Sequence, residues 1–111
     1  MAKAKTVKTD KVKPANALTV RHILTEKHGQ AMEAIKRLDG GESFDVVAKD
    51  LSTDKARNGG MLGWQSRGQM IGDFQDLAFQ LPVSTSNAPQ YNREPLKTKF
   101  GYHVIMVEER K

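Results

Sequence analysis

The sequence of 111 residues contains no cysteine. This excludes disulfide bonds, thiolate metal sites and cysteine nucleophiles, and it is typical of an intracellular chain. The sequence also lacks any apolar run near the roughly 20 residues that a membrane-spanning helix needs. No apolar signal core follows its lysine-rich N-terminus. We therefore expect a protein of the cytoplasm, the nucleus or both, without membrane contact.

Acidic residues are scarce at the N-terminus, so the charge is unevenly distributed. The formal net charge is +5, and residues 1–16 account for +4 of it with five lysines against one aspartate. Their few apolar residues predict a disordered basic tail, followed by one domain over residues 17–111. The lysines in question are Lys3, Lys5, Lys8, Lys11 and Lys13.

Three functions fit such a tail. It can contact the phosphates of DNA or RNA or direct nuclear import, or it can serve only to keep the chain soluble. The remaining 95 residues are nearly neutral and show no alternation of basic and aromatic residues, which disfavours a pure nucleic-acid-binding domain.

Apolar periodicity predicts three helices. Thr25 is a candidate cap for the first, which ends at the Gly40–Gly41 pair. Ser43 is a candidate cap for the second, and Asp73 for a third that ends at Pro82. The apolar stripe of the first helix is predicted to contain Ala31, Met32, Ile35 and Leu38.

Strand-forming residues predict two strong strands, at 17–24 and 97–109, and two weaker ones, at 61–64 and near 90–92. The first and last strands are the most apolar, and the last carries apolar residues on both faces. We therefore place these two strands side by side at the centre of a sheet. The expected fold class is α+β, with a four-stranded, mainly antiparallel sheet covered by three to four helices.

Two histidines lie within the strong strands, His22 in VRHIL and His103 in GYHVI. If these strands are neighbours, both imidazoles can lie on one face and share hydrogen bonds. A single strand histidine is more often an ordinary core residue, and two histidines without a third ligand make a poor zinc site. Thr98 lies five residues before His103, within reach of a ring nitrogen, and Asp54 follows the second helix in a loop.

The segments VRHIL, LSTDKARNGGMLGW, SRGQM, DFQDLAF and KTKFGYHVIMVEER resemble, in order and spacing, the parvulin-type peptidyl-prolyl cis–trans isomerases. The resemblance covers residues 18–111. It is strongest to small eukaryotic parvulins that have a basic N-terminal extension and no WW domain. It implies an enzyme that rotates X–Pro peptide bonds without a metal or other cofactor, with proline-containing peptides and proteins as its substrates and a monomeric state.

The resemblance also implies roles for particular residues. The polar catalytic group corresponds to His22, Asp54, Thr98 and His103. The pocket for the proline ring corresponds to Leu62, Met70 and Phe74, with Phe79 nearby. The glycines at 59, 60, 63 and 68 are then expected to fold a loop that brings Leu62 and Met70 against Phe74, with Trp64 packed beside them.

Phosphate-directed parvulins carry a basic loop after the first strand, whereas TEKHGQ follows here without an arginine cluster. A phosphorylated residue before the proline is therefore not expected to be required. The alternative function is a module that binds proline-containing segments with little turnover, with the tail contacting nucleic acid or ribonucleoprotein.

Overall fold

A computed structural model describes residues 15–53, 59–70 and 72–111. In these ranges no helix is long and apolar enough to cross a bilayer. In chain order the elements are β1 (Ala17–Thr25), α1 (His28–Asp39), α2 (Phe44–Leu51), β2 (Met61–Ser66), α3 (Gly72–Gln80), β3 (Leu96–Thr98) and β4 (Gly101–Arg110).

The four strands form one sheet in the order β2-β1-β4-β3, and every neighbouring pair is antiparallel. The predicted fold class is confirmed, and so is the placement of the first and last strands at the centre. Their ladder runs from Leu18 opposite Arg110 to Thr25 opposite Tyr102. Each central strand is therefore paired on both edges, and its side chains are buried above and below the sheet.

The sheet separates two hydrophobic cores, and helices cover each of its faces. Helices α1 and α2 cover one face of the sheet, where Ile23, Val104 and Met106 are fully buried. Helix α3 covers the other face, where Val20 and Ile105 are fully buried. Because successive strand residues point to opposite faces, the alternation in β4 supplies both cores from one strand.

The start of α1 differs from the prediction. Thr25 ends β1 rather than capping the helix, and its hydroxyl donates a hydrogen bond to the carbonyl oxygen of Lys27 at 3.0 Å. Lys27 is the N-cap residue. Met32 is 40% exposed, so its predicted place in the buried stripe is wrong. The other predicted residues, Ala31, Ile35 and Leu38, are buried, and Ala34 completes the stripe in place of Met32.

The caps of the other helices also depend on contacts that sequence alone does not show. Ser43 is the N-cap of α2, as predicted, but its side chain makes no capping hydrogen bond. Ser86 supplies it from a distant loop, because its carbonyl oxygen accepts the Phe44 N–H at 2.8 Å and its hydroxyl oxygen accepts the Asp45 N–H at 2.9 Å. The predicted cap Asp73 lies inside the first turn of α3.

The weak strand predicted near 90–92 is absent there. The single strand predicted at 97–109 is also wrong, because a turn at 99–100 separates β3 (Leu96–Thr98) from β4 (Gly101–Arg110). Asn92 is buried like a strand residue, but its side chain takes over the pairing with β4. Its Oδ1 accepts the Ile105 N–H at 2.8 Å, and its Nδ2 donates to the His103 carbonyl oxygen at 3.1 Å. A side-chain amide presents the same donor and acceptor as a backbone amide, so it satisfies this edge of β4 without a strand.

The described chain begins at Ala15, two residues before the predicted start of the domain. Ala15 is buried in the α3 core, and its carbonyl oxygen accepts a hydrogen bond from Arg67 Nε at 3.1 Å. The Asn16 N–H donates to the Lys111 carbonyl oxygen at 2.7 Å. Residues 1–14, with the five tail lysines, lie outside the described residues.

Candidate active site

The two strand histidines meet on the α3 face of the sheet. The register pairs His22 with Ile105 and Leu24 with His103, so the histidines are diagonal neighbours on the two central strands. Their Nδ1 atoms lie 3.2 Å apart, and their rings stack at 5.4 Å between centroids. Both residues are buried, with exposures of 6% and 4%. The predicted shared face and hydrogen bond are confirmed.

Thr98 extends this contact into a continuous polar chain. It ends β3, directly beside the start of β4, and its Oγ1 lies 2.8 Å from His103 Nε2. The same oxygen accepts the Phe100 N–H at 3.1 Å, which fixes the position of the hydroxyl. The three side chains of His22, His103 and Thr98 are thus joined by hydrogen bonds, as predicted for them.

The proton positions in this chain are linked. A bond between two Nδ1 atoms needs one nitrogen to carry the proton and the other to accept it. If His103 Nδ1 donates to His22, then the neutral His103 ring accepts the Thr98 hydroxyl proton at Nε2. If His22 donates instead, the neutral His103 carries its proton on Nε2 and donates to Thr98. The chain therefore has two opposite hydrogen-bond directions.

Phe74 joins the polar chain to an apolar cluster. Its ring meets His103 edge-on at 5.1 Å and His22 at 5.9 Å between centroids. Phe74 and Phe79 are both buried in the α3 core, and Leu62 and Met70 pack against the same core while remaining partly exposed. All four residues of the expected proline pocket thus belong to or pack against one apolar cluster, and Phe74 connects that cluster to the histidines.

The glycine-rich stretch folds as a tight turn against β1. Gly60 has φ +85°, and its carbonyl oxygen accepts the His22 N–H at 3.0 Å. A Cβ at Gly60 would lie 2.2 Å from the His22 carbonyl oxygen, and one at Gly59 would lie 2.3 Å from Asp45 Cβ. Only glycine permits both the backbone angle and this close approach. The turn delivers Leu62 to the site, as expected.

Trp64 does not pack beside the pocket, so that expectation is wrong. It pairs with Thr19 in the β1–β2 ladder, is 43% exposed, and has Lys111 Nζ 4.4 Å from its ring centroid. The ladder shifts register after Val20, and this irregularity puts Leu62 and Trp64 on different faces of β2. A regular strand, in which residues two apart lie on the same face, would place Leu62 and Trp64 together.

Asp54 lies outside the described residues, so its catalytic role stays a prediction. The residues before it are attached to β1 close to the site. The Thr53 N–H donates to the Leu24 carbonyl oxygen at 2.7 Å, and Ser52 Oγ accepts the Leu24 N–H at 3.0 Å. Leu24 lies two residues from His22, so the last described residue before Asp54 lies beside the strand that carries His22.

An open cleft of about 430 Å³ adjoins the polar chain, lined by Gly72, Asp73, Thr98 and Lys99. In the described part of the chain no three His, Cys, Asp or Glu residues are grouped so that they could hold a metal ion. Sequence reasoning missed Asn92, whose amide fixes the backbone of β4 at His103. The sequence pattern placed it in the weak strand near 90–92. No motif distinguishes such a strand residue from one whose side-chain amide pairs with β4.

Comparisons with known proteins agree with this geometry. A family model described as "PPIC-type PPIASE domain" matches residues 3–111. The chain is 50% identical over 101 residues to "Peptidyl-prolyl cis-trans isomerase PIN4" of Gibberella zeae, covering 91% of this chain and 74% of that protein. It is 46% identical over 113 residues to the protein of the same name from Emericella nidulans, covering 99% and 87%.

Solved structures share the fold. NmPin, the parvulin of Nitrosopumilus maritimus, superposes with a TM-score of 0.72 at 36% identity, covering 87% of this chain and 100% of that one. The peptidyl-prolyl isomerase PrsA of Bacillus anthracis superposes with a TM-score of 0.77 at 31% identity, covering 87% and 43%. Sequence, fold and the arrangement of the site agree, and the chain belongs to the parvulin-type peptidyl-prolyl cis–trans isomerases.

Proposed function

We propose that this prolyl isomerase acts at the chain of His22, His103 and Thr98 together with the adjoining apolar pocket, and that its substrates need no phosphate on the residue before proline. The observation that carries the proposal is the edge-on contact of Phe74 with both histidine rings. It places an apolar surface for a proline ring next to polar atoms that can face the X–Pro amide.

The reaction needs no bond cleavage. Rotation about a peptide bond has a barrier of roughly 18–20 kcal/mol, because twisting removes amide resonance. An enzyme accelerates the rotation by binding the twisted amide more strongly than the planar one. Each reduction of the barrier by about 1.4 kcal/mol increases the rate tenfold.

The apolar half of the site fixes one side of the rotating bond. Leu62, Met70, Phe74 and Phe79 belong to or pack against the α3 core, and we assign to them the pocket that holds the proline ring. Water is displaced when the ring enters. The planar amide is more polar than the twisted one, so loss of water raises the energy of the planar state more. The barrier between them falls accordingly.

The polar half of the site acts on the charge of the amide. As resonance is lost, the amide nitrogen gains a lone pair and the carbonyl oxygen loses negative charge. The two hydrogen-bond directions of the chain allow it to present a donor or an acceptor to this changing amide without a net change of charge. We assign Asp54 an electrostatic role beside the bond. A carboxylate repels a developing oxyanion, so Asp54 is not assigned as a nucleophile.

Independence of phosphate is supported by the connection between β1 and α1. It consists of Glu26 and Lys27 alone, and both are exposed. Proteins that select a phosphate group usually surround it with several cations, and arginine is favoured for its paired N–H donors. A single lysine next to a glutamate provides neither the charge nor the geometry.

The test is turnover of a peptide set by the full chain, comparing Ala–Pro, Ser–Pro and phosphoserine–Pro. We expect acceleration of Ala–Pro and Ser–Pro, no further gain from phosphorylation, and no effect of a chelator. Acceleration of the phosphorylated peptide alone would overturn phosphate independence. Binding of all peptides without acceleration of any would favour the alternative, a module that recognises proline-containing segments.

We also propose that the tail contacts nucleic-acid phosphates. Its five lysines precede Ala15, whose carbonyl oxygen accepts a hydrogen bond from Arg67. Lys111 is bonded through its backbone to Asn16 and Ala17. The lysine-rich segment therefore joins the domain next to two further cations, which favours a continuous basic surface at this point.

A further inference from the structure

The turn between β3 and β4 presents an exposed aromatic ring at the edge of the site. Thr98 pairs with Gly101, so Lys99 and Phe100 are the two central residues of a hairpin turn. Phe100 is 60% exposed, the most exposed of the large apolar side chains in the described residues. Its position at the edge of the site makes this ring available to a bound substrate, and covering it would remove apolar surface from water.

The turn is held rigidly to the polar chain. The Phe100 N–H donates to Thr98 Oγ1, the same atom that lies 2.8 Å from His103 Nε2. Gly101 has φ +138°, and a Cβ there would lie 2.3 Å from the Thr25 carbonyl oxygen. The turn is therefore pressed against the end of β1, and the position of Phe100 is coupled to that of the Thr98 hydroxyl.

The turn also forms one wall of the open cleft. Thr98 and Lys99 line this cleft on one side, and Gly72 and Asp73 line it on the other. Asp73 directly precedes Phe74, so the cleft adjoins the residue to which we assign the proline pocket. With the proline ring against Phe74, the residue before proline can lie across the rotating bond in this cleft, beside Thr98 and the turn.

We propose that Phe100 contacts the side chain of the residue before proline and favours a large apolar or aromatic residue at that position. The inference rests on the proposed site and names the substrate class for it. Covering an exposed ring with an apolar side chain removes apolar surface from water on both partners. An aromatic partner gains a further contribution from ring packing.

The charges of the cleft do not favour a charged residue at the same position. Lys99 and Asp73 line the cleft with opposite charges. Lys99 Nζ lies 5.4 Å from the Phe100 ring centroid, so this ammonium group lies near the ring. A substrate carboxylate or ammonium meets one attractive and one repulsive group. The apolar surface of Phe100 remains the feature that distinguishes substrates.

The experiment measures kcat/KM of the full chain and of Phe100→Ala on peptides with Ala, Leu, Phe or Glu before proline. We expect Phe100→Ala to lower kcat/KM about two- to tenfold for Phe–Pro and Leu–Pro, mainly through KM, and to leave Ala–Pro unchanged. Trp64→Ala is the matched control, because Trp64 is also exposed but lies on the opposite face of the sheet. Trp64→Ala should leave kcat/KM unchanged for all four peptides.

A uniform loss on all four peptides would overturn the proposal, since Phe100 would then act only through the turn. An unchanged profile, or a loss confined to Glu–Pro, would also overturn it. Phe100→Leu keeps an apolar side chain and should lower kcat/KM more for Phe–Pro than for Leu–Pro. This variant tests the proposal if Phe100→Ala does not fold. If the proposed function itself were wrong, the unsubstituted chain would accelerate none of the peptides, which distinguishes that result from failure of the Phe100 proposal.

Discussion

His22 and His103 face each other through the same ring atom, with Nδ1 3.2 Å from Nδ1 across the two central strands. Two imidazolium rings would bring two N–H groups against each other, so the contact requires that one nitrogen accept. The two residues are 81 positions apart in the chain. The hydrogen bond therefore contributes to the tertiary structure as well as to the proposed site.

Loss of either histidine should destabilise the fold. We expect His22→Ala and His103→Ala each to lower the free energy of unfolding by about 1–3 kcal/mol, because a buried partner loses its hydrogen bond. Urea denaturation measures this. His28→Ala is the control, since His28 is exposed at the start of α1 and its ring makes an edge-on contact with Tyr102 at 5.4 Å between centroids, outside the proposed site. Unchanged unfolding of both buried-site variants would contradict the hydrogen-bonded pair.

Substitutions should distinguish the contribution of the Asp54 charge from that of the apolar pocket around Phe74. Asp54→Ala should lower turnover while peptide binding, followed by NMR shifts, persists, because it removes a charge and no apolar surface. Phe74→Ala should lose both and cost about 3–5 kcal/mol of stability, since Phe74 is only 5% exposed. Glu26→Ala, at an exposed position, should change neither. Turnover of Asp54→Ala at the parent rate would show that the pocket acts without this carboxylate.

Gly60 should not tolerate a side chain. Gly60→Ala puts a Cβ against the His22 carbonyl oxygen and forces φ +85° on alanine, so it should cost at least about 1 kcal/mol of stability and reduce turnover. Gly29→Ala offers the matched comparison in α1, where a Cβ meets nothing within 4 Å. It should be neutral or stabilise by up to about 1 kcal/mol. Equal thermal melting of the two variants would contradict the close approach.

The contribution of Tyr91 to stability should disappear at high pH. Its hydroxyl donates to Asp39 Oδ1, and burial together with this bond raises the pKa of Tyr91 from 10.0 to about 12. A raised pKa contributes stability that is complete below pH 10.0 and is lost as the pH rises towards about 12. The stability difference between the parent and Tyr91→Phe, measured in urea, should shrink over this range. A constant difference would contradict it.

Nucleic-acid binding by the tail should depend steeply on salt. Replacing the five lysines of residues 1–14 by glutamine keeps the chain length and removes their charge. If each lysine neutralises one phosphate, this variant should reduce the slope of log affinity against log salt by about 4–5. Fluorescence anisotropy with a short duplex DNA measures both slopes. Equal slopes for the two proteins would place binding on the domain.

Local patterns predicted much of the fold. The first and last strands are the most apolar, and β4 carries apolar residues on both faces, which together placed β1 and β4 side by side at the centre. The same reasoning put His22 and His103 on one face, because the period of a strand is fixed at two residues. Where this period is interrupted, the prediction failed, as at Trp64 beyond the register shift in β2.

Contacts between distant segments could not be predicted in this way. Ser86 caps α2 from 41 residues away, and the Asn92 side chain replaces a strand beside β4. Both residues satisfy backbone groups that the local sequence leaves open. Phe100 was noted only as part of a motif, because its exposure beside Thr98 depends on the tight packing of Gly101 against Thr25.

The pairing of β1 with β4 has a consequence for synthesis of the protein. In the described sheet β1 has β2 and β4 as its neighbours, and β4 is the last strand to be made. During translation the apolar strand β1 therefore waits, with one edge unpaired, until residues 101–110 have left the ribosome. Joining such distant segments is slow, because a long loop must close first. The nascent chain of this prolyl isomerase is thus exposed to aggregation until β4 of the described sheet is available for pairing.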